Sequence, residues 1–302
     1  MATEIGRLLT AMLTPFKADG SVDYEAGEKL AAMLVADGSD GVVVSGTTGE
    51  SPALSDDEKI ELVKVIKKAI PGKSVVSGTG SNDTHHSVKL SERAMKAGAD
   101  ALLAVVPYYN KPPQEGMYQH FKAISEVGPT IMYNIQGRTA INMTAATTLR
   151  CAQLPGILGV KEASGDLDQI GLVCAGKPEH FNVWSGDDSW TLPMLAVGGY
   201  GVICVVSHIA GASMKKMIDA FLKADTKSAM SIHQGLLPVI KTLMTTAANP
   251  VPIKSAINAM GFAAGPFRLP LVPLTADQLK SVMQTIGDAG DLITFKAGVK
   301  VA

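Results

Sequence analysis

Residues 74–106 read SVVSGTGSNDTHHSVKLSERAMKAGADALLAVV, and their pattern decides the fold. Ser74–Gly78 is a short apolar run. Thr84–Ala97 has helical spacing and stops at Gly98, a residue suited to the left-handed end of a helix. Ala101–Val106 is apolar again. An apolar run on consecutive positions is what a parallel strand buried on both faces requires. The stretch therefore predicts strand, helix, strand, with the second strand parallel to the first.

The same alternation extends in both directions. Candidate strands are Leu8–Leu13, Gly41–Ser45, Ser74–Gly78, Ala101–Val106, Thr130–Tyr133, Ile157–Lys161, Asn182–Ser185 and Gly201–Val206. Between them, Asp23–Asp37, Ser55–Ala69, Gln114–Val127 and Thr144–Ala152 also read as helices. Ser55 with Glu58 three residues on makes a capping box. Eight βα units in series predict an α/β fold, a closed (β/α)8 TIM barrel; a doubly wound open sheet is the competing arrangement. After Val206 the strand signals fade. Ala212–Ala224, Lys227–Ala247, Val251–Met260 and Ala276–Ala289 read as helices. One completes the eighth unit and the others form a C-terminal appendage, which divides the chain into 1–225 (barrel) and 226–302 (helical). The tail 291–302 shows no firm periodicity.

With 302 residues, 46% of them hydrophobic, the chain needs no disulfide or metal to hold its core. A formal net charge of -1 argues against a general nucleic-acid binder. No run reaches the length of a membrane span. Cys151, Cys174 and Cys204 are scattered and odd in number, which fits a reducing, cytoplasmic setting rather than a disulfide framework. His85, His86, His120, His180, His208 and His233 lack metal-ligand spacing, so no metal is expected. Gly78-Thr79-Gly80 opens a loop that fails the dinucleotide fingerprint, because the last glycine is missing.

In such a barrel, chemistry sits where strands end at their C-termini. The second run ends in Ser45-Gly46-Thr47-Thr48-Gly49-Glu50, whose amides and hydroxyls suit a carboxylate or a phosphate; an ordinary Gly/Thr turn reads the same way. The fourth ends in Pro107-Tyr108-Tyr109, either a functional hydroxyl or subunit-contact aromatics. The fifth ends in Tyr133-Asn134, followed by Arg138, which is either a carboxylate clamp or a surface ion-pair partner. The sixth is the sharpest: Gly159-Val160 runs straight into Lys161-Glu162. A lysine ending a buried strand either snorkels to solvent or faces the barrel mouth, where burial lowers its pKa and makes it a nucleophile towards carbonyls. Ser185-Gly186-Asp187-Asp188 reads first as a helix cap.

Together these residues resemble the dihydrodipicolinate synthase / N-acetylneuraminate lyase family of pyruvate-dependent class I aldolases. The resemblance runs from Thr14-Pro15-Phe16 to Arg268-Leu269-Pro270 and carries four ordered motifs: Gly46–Glu50, Pro107–Tyr109, Tyr133-Asn134 and Gly159–Glu162. It implies that Lys161 forms a Schiff base with pyruvate and that Tyr133, Thr47 and Tyr109 relay protons. In the family's homotetramer that tyrosine reaches a neighbouring subunit's site. The resemblance further implies that Thr47 and Thr48 hold the pyruvate carboxylate, that Gly186 and Ile203 line the pocket through their backbones, and that Arg138 clamps the second substrate. No organic cofactor is implied, because the lysine supplies the electron sink.

Sialic acid lyases usually carry Ser-Thr where this chain has Thr47-Thr48, and generally lack the arginine. Both features favour the synthase branch, which joins pyruvate to aspartate semialdehyde for lysine biosynthesis. The alternatives are an aldolase cleaving a 2-keto-3-deoxy sugar acid or N-acetylneuraminate, and a non-catalytic keto-acid-binding homologue. One departure stands out: the loop after Tyr133-Asn134 has Gln136 in place of the usual proline and Ala140 in place of the usual glycine. A second concerns regulation. Lysine-sensitive members bind lysine beside Ser51, Asn82 and Tyr108. Here two usual histidine positions are Asp56 and Lys59, and a usual carboxylate is His86, which implies weak inhibition by lysine.

Overall fold

A computed structural model describes residues 5–295. Eight parallel strands close into a barrel in chain order. They are β1 (Leu8–Ala11), β2 (Gly41–Val44), β3 (Ser74–Gly78), β4 (Ala101–Val105), β5 (Thr130–Asn134), β6 (Ile157–Glu162), β7 (Asn182–Ser185) and β8 (Gly201–Cys204). Closure is made by β8 on β1, with Leu9 opposite Ile203 and Thr10 opposite Cys204. The open-sheet alternative is thereby excluded.

Alternation along the strands creates two cores. One face of each strand points inward, where Leu9, Val43, Val76, Leu103, Ile131, Trp184 and Ile203 fill the barrel. The other face, with Leu8, Val42, Val75, Leu102, Met132, Val160, Val183 and Val202, packs under the helices. Consecutive apolar residues are needed because both faces are dry. Gly159 is required by close approach: a Cβ there would lie 2.0 Å from the Asn182 carbonyl oxygen and 2.7 Å from the Trp184 ring.

The helices over the barrel are α1 (Tyr24–Ala36), α2 (Asp56–Ala69), α3 (Thr84–Lys96), α4 (Gln114–Ser125), α5 (Gln136–Thr139), α6 (Ala145–Cys151), α7 (Leu167–Gly176), α8 (Thr191–Ala196) and α9 (Ser207–Leu222). The appendage is α10 (Thr226–Thr245), α11 (Val251–Ala259) and α12 (Ala276–Asp288). The capping box at Ser55 and Glu58 is formed. Helix α9 completes the eighth unit and begins earlier than its periodicity indicates, with a break in helical geometry at Ala210. No range for α7 is read from the sequence, and α8 is indicated only through the cap read at Ser185–Asp188. The first is apolar nearly all round and carries Gly171, so it shows no clear stripe; the second has only six residues.

The expected division after residue 225 falls at the start of α10. Apolar packing is continuous across it, since Ala229, Leu236 and Val239 share the outer core with the barrel helices. From residue 296 on, the tail lies outside the described residues.

Candidate active site

The strand register brings the chemistry together. Tyr133 on β5 lies opposite Lys161 on β6, and both side chains face the barrel interior. Their neighbours Asn134 and Glu162 point the other way, where Asn134 Nδ2 donates to Glu162 Oε1 at 3.0 Å. The Lys161 ammonium nitrogen sits 4.3 Å from the Tyr133 ring centroid. Lys161 and Tyr133 are each only 6% exposed, so this lysine does not snorkel to solvent.

Burial is the dominant cause of its altered acidity. It lowers the Lys161 pKa to about 8, and the Arg138 charge adds to the fall while Asp188 opposes it. Burial likewise pushes Tyr133 up to about 12, against the pull of Arg138 and of a hydrogen bond with Thr47. The pair at neutral pH is therefore an amine with an accessible neutral form beside a phenol that keeps its proton. Such a phenol serves as a hydroxyl in a relay, not as a free phenolate.

A cavity of about 240 Å³ lies over these two residues. It is lined by Thr47, Thr48, Tyr133, Arg138, Lys161 and Gly186, with Asp188 and Asn249 also on its wall. Gly186 keeps the mouth open: a Cβ there would stand 3.2 Å from Lys161 Cε and 2.8 Å from the Ala163 Cβ. The Thr47–Thr48 loop is held in an unusual backbone path. Ser45 and Glu50, which bracket it, have φ of 55° and 56°, a region that side-chain-bearing residues occupy at some cost. Two of the expected site residues do not line the cavity. Ile203 is fully buried in the barrel, and Tyr109 stands 89% exposed on the rim, with φ of 73°.

Arg138 reaches the cavity from α5, a single turn that replaces the expected irregular loop. Gln136 opens the turn, and its carbonyl accepts from the Ala140 N–H; Ala140 itself is left-handed, at φ 59°. The residue departures therefore change the local chemistry of the turn, while its arginine still faces the cavity.

Two site groups escaped the sequence reading. Asp188, read as a cap, is buried and accepts from the Val205 and Val206 amides at 3.0 and 2.6 Å. Burial raises its pKa, with those amides opposing. The capping role belongs to its neighbour Asp187, which accepts from the Ser189 N–H. Asn249, between α10 and α11, donates to Thr48 Oγ1 at 3.0 Å and accepts at its carbonyl from Arg138 at 3.4 Å. No periodicity marks either residue, because each acts through a contact far away in sequence.

The histidines serve other ends. His208 bonds to the Leu13 N–H and the Val205 carbonyl in the core, and burial drives its pKa to about 4. Among the described residues, no cluster of three or more His, Cys, Asp or Glu is placed to hold a metal. No described helix is long and apolar enough to cross a membrane.

A (β/α)8 barrel with a cavity at the C-terminal ends of its strands, holding a buried lysine beside a tyrosine, has the layout of a barrel enzyme. Residues 4–289 match the model of the Dihydrodipicolinate synthetase family, and the chain belongs to that family. It is 51% identical over 288 residues to the 4-hydroxy-tetrahydrodipicolinate synthase of Moorella thermoacetica, covering 94% of this chain and 98% of that one. Among solved structures, it superposes on dihydrodipicolinate synthase from Cyanidioschyzon merolae with lysine bound. The TM-score is 0.92 at 42% identity, covering 95% of this chain and 98% of that one. It also superposes on the chloride-inhibited enzyme from Acinetobacter baumannii complexed with pyruvate, with a TM-score of 0.91 at 34% identity over 95% and 99% of the two chains.

Proposed function

We propose that this chain is a Schiff-base lyase that condenses pyruvate with L-aspartate 4-semialdehyde to 4-hydroxy-tetrahydrodipicolinate, a step of lysine biosynthesis. The observation that carries this reading is Lys161, a buried amine with its pKa lowered to about 8 at the mouth of the barrel. The extensive likeness to named synthases supports the choice of substrates.

The chemistry follows from the groups present. Neutral Lys161 attacks the pyruvate ketone, and loss of water gives an iminium. The iminium draws electrons, so the methyl carbon releases a proton and an enamine forms. Tyr133 and Thr47 pass the protons, with Tyr109 as a further relay hydroxyl. Thr47 and Thr48 hold the pyruvate carboxylate, with Gly186 along the wall. The enamine carbon then attacks the aldehyde, whose carboxylate Arg138 holds. Attack of the substrate's own amine on the iminium carbon closes the ring and expels Lys161. The exposed Tyr109 suits a partner subunit in a homotetramer, and three free cysteines suit the cytoplasm.

A coupled assay with pyruvate plus aspartate semialdehyde tests the reading, run beside cleavage of N-acetylneuraminate and 2-keto-3-deoxygluconate. Turnover with the first pair and none with the two sugar acids is expected; the reverse overturns the assignment. The pH profile is a second check. Below pH 8 Lys161 is mostly protonated and unable to attack, so kcat/KM for pyruvate rises about tenfold per unit and levels above about pH 8. A limb near pH 10 would mean an ordinary exposed lysine.

Regulation gives a third expectation. A larger cavity of about 570 Å³ lies next to the site and is lined by Ser51, Lys59, Asn82, His86 and Tyr108. In it, His86 Nε2 lies 2.8 Å from Asp56 Oδ2, and Lys59 Nζ lies 3.7 Å from Asp56 Oδ1. Asp56 is thus already shared by two basic groups, and the carboxylate on the cavity wall, Asp83, caps α3 by accepting from the His85 and His86 N–H groups. Lysine binding there would place its ammonium near Lys59, with both carboxylates already engaged. Half-inhibition above about 1 mM lysine is expected, which corresponds to less than about 4 kcal/mol of binding. Titration of lysine at subsaturating pyruvate checks it; submillimolar inhibition would show Asp56 recruited to the ligand.

A further inference from the structure

The loop that carries Thr47 and Thr48 is gripped from behind by the C-terminal helices. Glu50, at the end of the loop, is 2% exposed, and Lys254 of α11 is 0% exposed. Lys254 Nζ donates to Glu50 Oε1 at 2.8 Å and to the Thr14 carbonyl at 3.0 Å. Its remaining side faces the Phe16 ring, 4.2 Å from the centroid. The other Glu50 oxygen accepts from the Arg268 N–H at 3.1 Å. Thr14 closes the circuit, since its hydroxyl donates to the Gly49 carbonyl at 2.7 Å. Five residues before Lys254, Asn249 holds the Thr48 hydroxyl from the other side of Gly49.

This arrangement is more than the fold needs. A buried ion pair is weak evidence for stability, because desolvating two charges costs as much as their attraction returns, and an apolar pair often serves equally well. What a pair supplies that an apolar contact does not is direction. Glu50 sits in a left-handed backbone conformation that a side chain disfavours, and its carboxylate is tied at both oxygens. The two-point hold fixes where the loop ends, and with it where the Thr47 and Thr48 hydroxyls point.

We propose that Lys254 and Glu50 are positioning residues: a buried pair through which the C-terminal helices set the geometry of the Thr47–Thr48 loop, and so the affinity for the keto-acid carboxylate. This rests on the reading of Lys161, Thr47 and Thr48 as the pyruvate site. Neither residue touches the reacting atoms, so loss of the pair acts on pyruvate binding before it acts on turnover. Misaimed hydroxyls lose hydrogen bonds to the carboxylate, a loss of roughly tenfold to a hundredfold in affinity.

The experiment compares Lys254→Met, Glu50→Gln and the double variant with the parent. It measures KM for each substrate, kcat, the thermal midpoint, and the pyruvate dependence of borohydride trapping. The expected result is a KM for pyruvate raised roughly tenfold or more. At saturating pyruvate kcat stays within about threefold, the second substrate's KM is little changed, and the adduct still forms but at higher pyruvate. The double variant, which leaves no unpaired buried charge, regains thermal stability relative to Lys254→Met yet keeps the raised KM. A folded double variant with KM for pyruvate within about twofold of the parent overturns the proposal. So does failure of all three variants to fold, which would make the pair a folding requirement. If the parent itself traps no pyruvate, the site reading fails instead.

Discussion

Borohydride reduction in the presence of pyruvate adds one pyruvate-derived group to this protein, and the group lies on the peptide containing Lys161. That is the expected result because no other described lysine combines burial in the cavity with a free amine. Lys254 is more deeply buried, but it is committed to Glu50 and to the Thr14 carbonyl. Lys59 is also partly buried, and its charge is paired with Asp56. Lys161 alone faces the cavity with its pKa lowered to about 8. Lys161→Ala removes the electron sink, and kcat falls by about a hundredfold or more, the scale on which a covalent nucleophile contributes. Mass spectrometry of the trapped protein and single-turnover kinetics of the variant check both halves. An adduct on another lysine, or full activity in Lys161→Ala, would discard the mechanism.

The barrel was legible because its requirement is simple. Strands dry on both faces must be apolar at consecutive positions, and eight such runs stand out against amphipathic helices. Lys161 was legible for the same reason: a charged residue ending a run such as Ile157–Val160 breaks a rule that the rest of the run obeys. Tyr133 followed from its place at the end of a strand, and Arg138 from the loop just past it. What could not be read was long-range. Asp188 looks like a cap because two aspartates precede a turn, and only the fold shows which one turns inward to the Val205 and Val206 amides. Asn249 lies in the turn before α11 and Lys254 within it, about 200 positions from the loop they grip. Neither a period nor a local spacing encodes that contact. The turn of α5 was also hidden, since Gln136 and Ala140 remove the proline and glycine that usually mark it.

Arg138→Ala separates the two substrates. If the guanidinium clamps the semialdehyde carboxylate, its loss removes a charged hydrogen bond worth roughly 1.5–3 kcal/mol, so condensation slows about tenfold to a hundredfold. Trapping of pyruvate on Lys161 is expected to persist, because the carboxylate of that substrate is proposed to rest on Thr47 and Thr48. A smaller effect travels through space. The Arg138 charge lowers the pKa of both Lys161 and Tyr133. Without it the protonated amine is less disfavoured, the Lys161 pKa rises, and the pH limb of kcat/KM for pyruvate moves to the alkaline side. Arg138→Lys distinguishes the two roles: a point charge restores the pH limb, but it lacks the planar fork that matches a carboxylate and leaves condensation slow. Steady-state kinetics over pH 6–10 on the three proteins reads both. Unchanged condensation in Arg138→Ala would mean that the turn built on Gln136 and Ala140 holds the arginine against the Asn249 carbonyl and away from substrate. The clamp would then have to be sought elsewhere on the cavity wall.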